Sequence, residues 1–146
     1  MEEAVRLTQV RRESKKLRLT MDLPDFLLNG EPDLLISLFT NLLDNAGKAA
    51  EEGGEIRIRG RQYQDTYLLC IMDNGCGMEQ SEISRITEAF YMVDKSRARK
   101  EGGAGLGMAL CSRIIGIHKV RWRIFSIPRR GTAVAMQFDR GEAGQS

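Results

Sequence analysis

The 146-residue chain predicts an α+β fold: a two-layer α/β sandwich, with a mixed sheet of about five strands covered on one face by about three helices. Three observations carry this. Helical and strand periodicities are intermixed without the regular alternation that a doubly wound sheet needs. "EIRIRGR" alternates Ile56 and Ile58 with Glu55, Arg57, Arg59 and Arg61, so one face of that strand is wet. The chain closes on two strand-like runs around Pro128-Arg129-Arg130-Gly131, a hairpin. A composition of 42% hydrophobic and 29% charged residues suits one globular domain.

The elements follow in chain order. Residues 2–14 carry a thin helical stripe of Ala4, Leu7 and Val10, joined by Arg11. "LRLTMDLP" alternates Leu17, Leu19 and Met21 and stops at Pro24, a strand. Glu31-Pro32-Asp33 opens a helix to about Ala50, with Pro32 in the tolerated first turn and acidic residues at the positive end. Gly53-Gly54 ends it, and the wet-faced strand follows. "TYLLCIMD" is continuously apolar, which predicts a central strand buried on both faces. Residues 79–87 form a short helix, 88–103 a long polar loop, and 104–117 a helix before the hairpin of "RWRIFSI" and "TAVAMQF". Residues 1–138 are expected to form the domain, and 139–146 a disordered tail.

A net charge of +2 gives no argument for nucleic acid or an anionic membrane as partner. No apolar run approaches the ~20 residues of a membrane span, and "MEEAVRLTQVRRESKK" is too polar for a signal peptide. Cys70, Cys76 and Cys111 lack metal-type spacing, so a reduced, cytoplasmic setting is expected, with Cys70 and Cys111 as buried hydrophobes.

Chemistry gathers at three places. In "LFTNLLDNAGKAA", Asn41, Asn45 and Lys48 fall within an arc of about 60° on the helix. Leu35, Phe39, Leu42, Leu43, Ala46 and Ala50 form a separate apolar face. The polar stripe is either a solvated face or a ligand face, where an amide carbonyl suits a hard Mg²⁺ ion and a lysine suits phosphate. In "CIMDNGCGM" a buried strand delivers Asp73 and breaks into Gly75 and Gly77. That is either a tight turn or an acceptor for an exocyclic amine, with glycines admitting a flat ring. In "GGAGLGMALCSRIIGIH", Gly103, Gly105 and Gly107 stand where a helix begins, and backbone amides there are unpaired and electropositive. A flexible linker is the alternative. No GxxxxGK[ST] occurs, and the segment before these glycines is polar loop, not the strand of a dinucleotide fingerprint.

The order of these segments resembles the ATP-binding catalytic domain of sensor histidine kinases, in the superfamily that also holds gyrase, the ninety-kilodalton heat-shock chaperone and MutL. That resemblance implies the Bergerat-type sandwich, Mg-ATP as ligand, and a role in two-component signalling. "NLLDNAGKA" resembles the family's Asn box, which implies Asn45 as Mg²⁺ ligand, Asn41 beside metal and phosphates, and Lys48 on phosphate. "DNGCGM" resembles the first glycine box, which implies that Asp73 reads the adenine amine beside Gly75 and Gly77. "EAFYMVDKSR" is similar to the phenylalanine box, with Phe90 anchoring a nucleotide lid whose Lys95 and Arg97 are available to phosphate. "GGAGLGMAL" resembles the second glycine box, where Gly103 opens the motif and amides of Gly105, Leu106 and Gly107 would hold phosphate. "RGTAV" places Thr132 near adenine.

Relatives that hydrolyse ATP, and similar serine kinases, carry a Glu at the position of Asn41. A neutral amide is no base at pH 7, which favours transfer to histidine. The sole histidine, His118, lacks the setting of a phosphoacceptor and is expected to be structural. The acceptor would then be a dimerisation and histidine-phosphotransfer hairpin absent from this chain, with a response regulator downstream. An ATP-binding regulatory module without transfer activity is the alternative. Two departures stand out: Lys119-Val120 replace the family's Gly-Gly turn, and Gly47 interrupts the Asn helix.

Overall fold

The computed structural model describes residues 1–87 and 106–140. Its elements are α1 (Glu2–Leu7), α2 (Gln9–Ser14), β1 (Arg18–Asp22), α3 (Pro32–Ala49), β2 (Glu55–Tyr63), β3 (Thr66–Asp73), α4 (Gln80–Ile83), α5 (Gly107–Ile117), β4 (Arg121–Ile127) and β5 (Gly131–Asp139). The strands form one five-stranded sheet in the order β1-β2-β3-β5-β4. β1 and β2 are parallel and every other pair is antiparallel. Parallel neighbours need a crossover connection, and α3 supplies it between β1 and β2.

The core lies between α1, α3 and α5 and one face of the sheet. α3 contributes Leu35, Leu38, Phe39, Leu42, Leu43 and Ala46, the face that helical spacing marks as apolar. α5 contributes Cys111, Ile114 and Ile115. Opposite them stand Ile56, Ile58, Tyr67, Leu69, Ile71, Val134, Met136 and Phe138, alternate residues of β2, β3 and β5. Each fully buried Leu or Ile here stabilises the fold by roughly 1.5–3 kcal/mol.

Three expectations change. The N-terminal helix is two helices, because the Thr8 hydroxyl donates to Ala4 O (2.9 Å) and Val5 O (3.2 Å) and the chain bends at φ −101°, ψ 5°. β3 is central but buried on one face only. Leu68 is 37% exposed and Cys70 is half-buried, because the helices cover the opposite face. Leu68, Cys70 and Met72 pair across the ladder with Arg61, Arg59 and Arg57, whose long stems shield apolar neighbours while the charge stays wet. At the C-terminal end, β5 runs on through Asp139, which pairs with Thr66, and Arg140 bridges Leu28. Ladder pairing therefore extends one residue beyond 138, and an isolated bridge follows at Arg140.

Candidate functional site

α3 is anchored by its apolar face, so its polar stripe is held in place by the core beneath it. Asn41 Nδ2 donates to Ser37 O at 2.8 Å, which fixes the amide. Its oxygen is turned to the start of α5. A methyl group built on Gly107 would lie 3.1 Å from Asn41 Oδ1 and 3.7 Å from Asn45 Oδ1. Asn45 Nδ2 is buried and has no hydrogen-bond partner among the described residues. The N-terminus of α5 has no side-chain cap, and Leu106 before it is 46% exposed. Two amide oxygens therefore converge on a helix start whose backbone N–H groups are electropositive.

A second feature lies at the end of β3. Asp73 Oδ1 accepts the Gly75 N–H at 2.8 Å, and a backbone hydrogen bond comes from Thr132, its partner across the ladder. Burial nevertheless raises the Asp73 carboxyl to about 6, with those two bonds pulling the other way. The loop after it is tied on both sides. Asn74 Oδ1 accepts the Glu55 N–H at 2.9 Å, Cys76 N–H donates to Ala49 O at 3.1 Å, and Arg129 N–H donates to Cys76 O at 2.6 Å. The glycines here serve this packing. A Cβ on Gly75 would overlap Ala49 O, and one on Gly77, at φ 63°, would overlap Ile127 O. Their reading as room for a flat ring is therefore incomplete: the bare backbone meets protein.

Ser126 was not singled out by its sequence, yet it joins the parts. Its hydroxyl accepts the Met78 N–H at 2.8 Å, donates to Gly131 O at 3.1 Å and lies 2.8 Å from Thr132 Oγ1. The available signal was its inward register in β4, opposite Thr132. Of the other expected residues, Phe90, Lys95, Arg97, Gly103 and Gly105 lie outside the described residues.

With this arrangement in view, comparison with known proteins decides the family. Residues 30–142 match the family described as histidine kinase-, DNA gyrase B- and HSP90-like ATPase. The chain belongs to that family. Among curated relatives it is 35% identical over 130 residues to the phosphate regulon sensor protein PhoR of Pseudomonas aeruginosa, covering 88% of this chain and 29% of that protein. It is 33% identical over 125 residues to the signal transduction histidine-protein kinase BaeS of Escherichia coli, covering 85% and 27%. The chain thus spans less than a third of those relatives' length. A mycobacterial sensor histidine kinase, MprB, superposes with a TM-score of 0.80 at 25% identity over 95% of this chain and 93% of that one. The chain is a catalytic domain of the protein-histidine kinase type, with the mixed sheet and covering helices of that class.

Two further residues of this kinase-type domain are held by contacts with protein. Lys48 Nζ sits on Asp44 Oδ2 at 3.1 Å, and Asp44 Oδ1 also accepts Arg11 Nε at 2.6 Å. The lysine is thus on the Asn helix beside Asn45, engaged with protein. His118 bridges two helices: its Nδ1 lies 2.8 Å from Ile114 O, and the Glu31 N–H donates to its Nε2 at 3.1 Å. A Cβ on Gly30 would strike that ring, so glycine there permits the close approach. Lys119 follows in the left-handed region, φ 53°, a conformation that glycine adopts freely and a lysine takes only with strain. No helix among the described residues is long and apolar enough to cross a membrane.

Proposed function

We propose that the domain binds Mg-ATP and donates its γ-phosphoryl group to a histidine on a dimerisation and acceptor hairpin, within a two-component sensor kinase that passes the group to a response regulator. The observation that carries this reading is the convergence of Asn41 Oδ1 and Asn45 Oδ1 on Gly107 at the uncapped start of α5. Amide oxygens suit a hard divalent cation, and helix-start N–H groups suit phosphate. When bound, Mg²⁺ would neutralise phosphate oxygens. Asp73 accepts the adenine amine, Thr132 flanks it, and Gly75 and Gly77 hold the loop that frames it. Lys48 reaches the phosphates from the same helix face as Asn45. The described residues put no carboxylate at position 41, so no group there takes a proton from water. An imidazole nitrogen attacks without that help: its N–P bond forms as the bond from the γ-phosphorus to the bridging oxygen breaks, and ADP leaves. The domain's contribution is positioning and charge neutralisation.

Calorimetry with ATP and Mg²⁺ tests binding. Incubation with radiolabelled ATP and a cognate hairpin tests transfer. Label on the hairpin histidine is the expected result. Binding without label at saturating Mg-ATP would instead make the domain a nucleotide-sensing module, and phosphate release by the domain alone would make it an ATPase.

A further inference from the structure

Gly47 interrupts α3, where glycine is a poor helix former, and the structure shows what fills the gap. A methyl there would lie 3.1 Å from Arg11 Cδ and 3.6 Å from Arg11 Cγ. The Arg11 stem from α2 crosses α3 at this point, and its Nε reaches Asp44 Oδ1 at 2.6 Å. The other oxygen of that carboxylate holds Lys48 Nζ at 3.1 Å. All three side chains are largely shielded, at 28%, 33% and 26% exposure, so salt screens them less than it would surface ions. Next to α2, Lys15 Nζ donates to the carbonyls of Gly47 (2.9 Å), Lys48 (3.1 Å) and Ala50 (3.1 Å), capping the C-terminal end of α3. The N-terminal segment is therefore fastened to the very turns that carry Asn45 and Lys48.

We propose that Arg11 and Asp44 are positioning residues that set how much of the Lys48 charge is available to a bound triphosphate. This rests on the reading of Lys48 as a phosphate contact. With Arg11 on one oxygen of Asp44, the carboxylate is already balanced and Lys48 turns to phosphate at little cost. Without Arg11, Asp44 draws on Lys48 alone within the trio, and any departure of the lysine leaves a negative charge facing the triphosphate. A shift of α2 away from α3 would then weaken nucleotide binding with no change at the ligand itself.

Mg-ATP affinity is measured by calorimetry for Arg11→Met, which keeps an apolar stem over Gly47, for Asp44→Asn, for Lys48→Met, and for the Arg11→Met/Asp44→Asn pair. Thermal melts check that each is folded. Arg11→Met is expected to weaken binding about threefold, within the range of partly exposed ion pairs. Asp44→Asn should tighten it, and Arg11→Met should have no effect once Asp44 is Asn. A loss that persists in the Asp44→Asn background, or no loss at all, overturns the coupling and leaves the Lys48 reading standing. Unchanged affinity in Lys48→Met removes the lysine from the site, and the coupling with it.

Discussion

The Cα of Gly107 stands so close to Asn41 that a methyl group on it would lie 3.1 Å from Asn41 Oδ1. The start of α5 and the polar stripe of α3 thus share one small space, and only a residue without a side chain leaves it open. Gly107→Ala improves helix propensity, by up to about 1 kcal/mol, so the fold should hold or gain slightly. The added methyl crowds the two amide oxygens and, on the proposed reading, the space for phosphate. Mg-ATP affinity should fall about tenfold with an unchanged or higher Tm. Calorimetry beside a melt reads both, and unaltered affinity would remove Gly107 from the site.

Asp73 supplies a pH test with a definite sign. Its carboxyl is raised by burial to about 6 from 3.8. The folded state therefore holds this proton more tightly than the unfolded chain. Its contribution to stability is fully present below about pH 4 and is lost as pH rises through 6. A shift of that size corresponds to a cost of up to about 3 kcal/mol for the charged form at neutral pH. The carboxylate is the form that accepts an adenine amine, so ATP affinity should rise as pH increases through 6. Asp73→Asn should remove this carboxyl's share of both dependences: ATP binding becomes weaker and less dependent on pH, in a protein that is more stable at pH 7. Melting curves and titrations at pH 5, 6, 7 and 8 check this.

Ser126 joins the loop after β3 to the terminal hairpin. Ser126→Ala leaves the Met78 N–H without its acceptor, and Met78 is only 8% exposed. A loss of about 1–2 kcal/mol is expected, with weaker ATP binding because the loop behind Asp73 loosens. Ser126→Thr, which keeps the hydroxyl, should restore much of both. Equal losses in the two variants would point to packing alone.

Lys119 holds a left-handed conformation, φ 53°, that glycine adopts freely. Lys119→Gly should raise stability by up to about 1 kcal/mol, the removed strain being partly offset by added unfolded-state entropy. Denaturant unfolding measures it, and a loss would mean the Lys119 side chain contributes more than its backbone costs. His118, immediately before it, keeps its bonds to Ile114 and Glu31 in either case.

Local periodicity was enough to place the strands, the apolar face of α3 and the amide stripe, because alternation and helical spacing are properties of neighbouring residues. It misjudged β3. An apolar run looks the same whether one face or both are covered, and only the positions of the helices left Leu68, Cys70 and Met72 on the open side. It also split poorly at Thr8, where a hydroxyl competes with the helix backbone.

By itself the sequence determined the fold class, the order of the segments that resemble nucleotide boxes and the residue types within them. The tertiary structure alone decided what those residues face. It set Gly107 against Asn41, raised Asp73 by burying it, made Gly75 and Gly77 contacts between protein segments, and seated Arg11 over Gly47 so that Lys48 shares its carboxylate. The physical reason is distance along the chain. Contacts such as Arg11 with Asp44 or Met78 with Ser126 join residues far apart in sequence. No local pattern encodes them, and burial, which sets the electrostatics, exists only once the layers have packed.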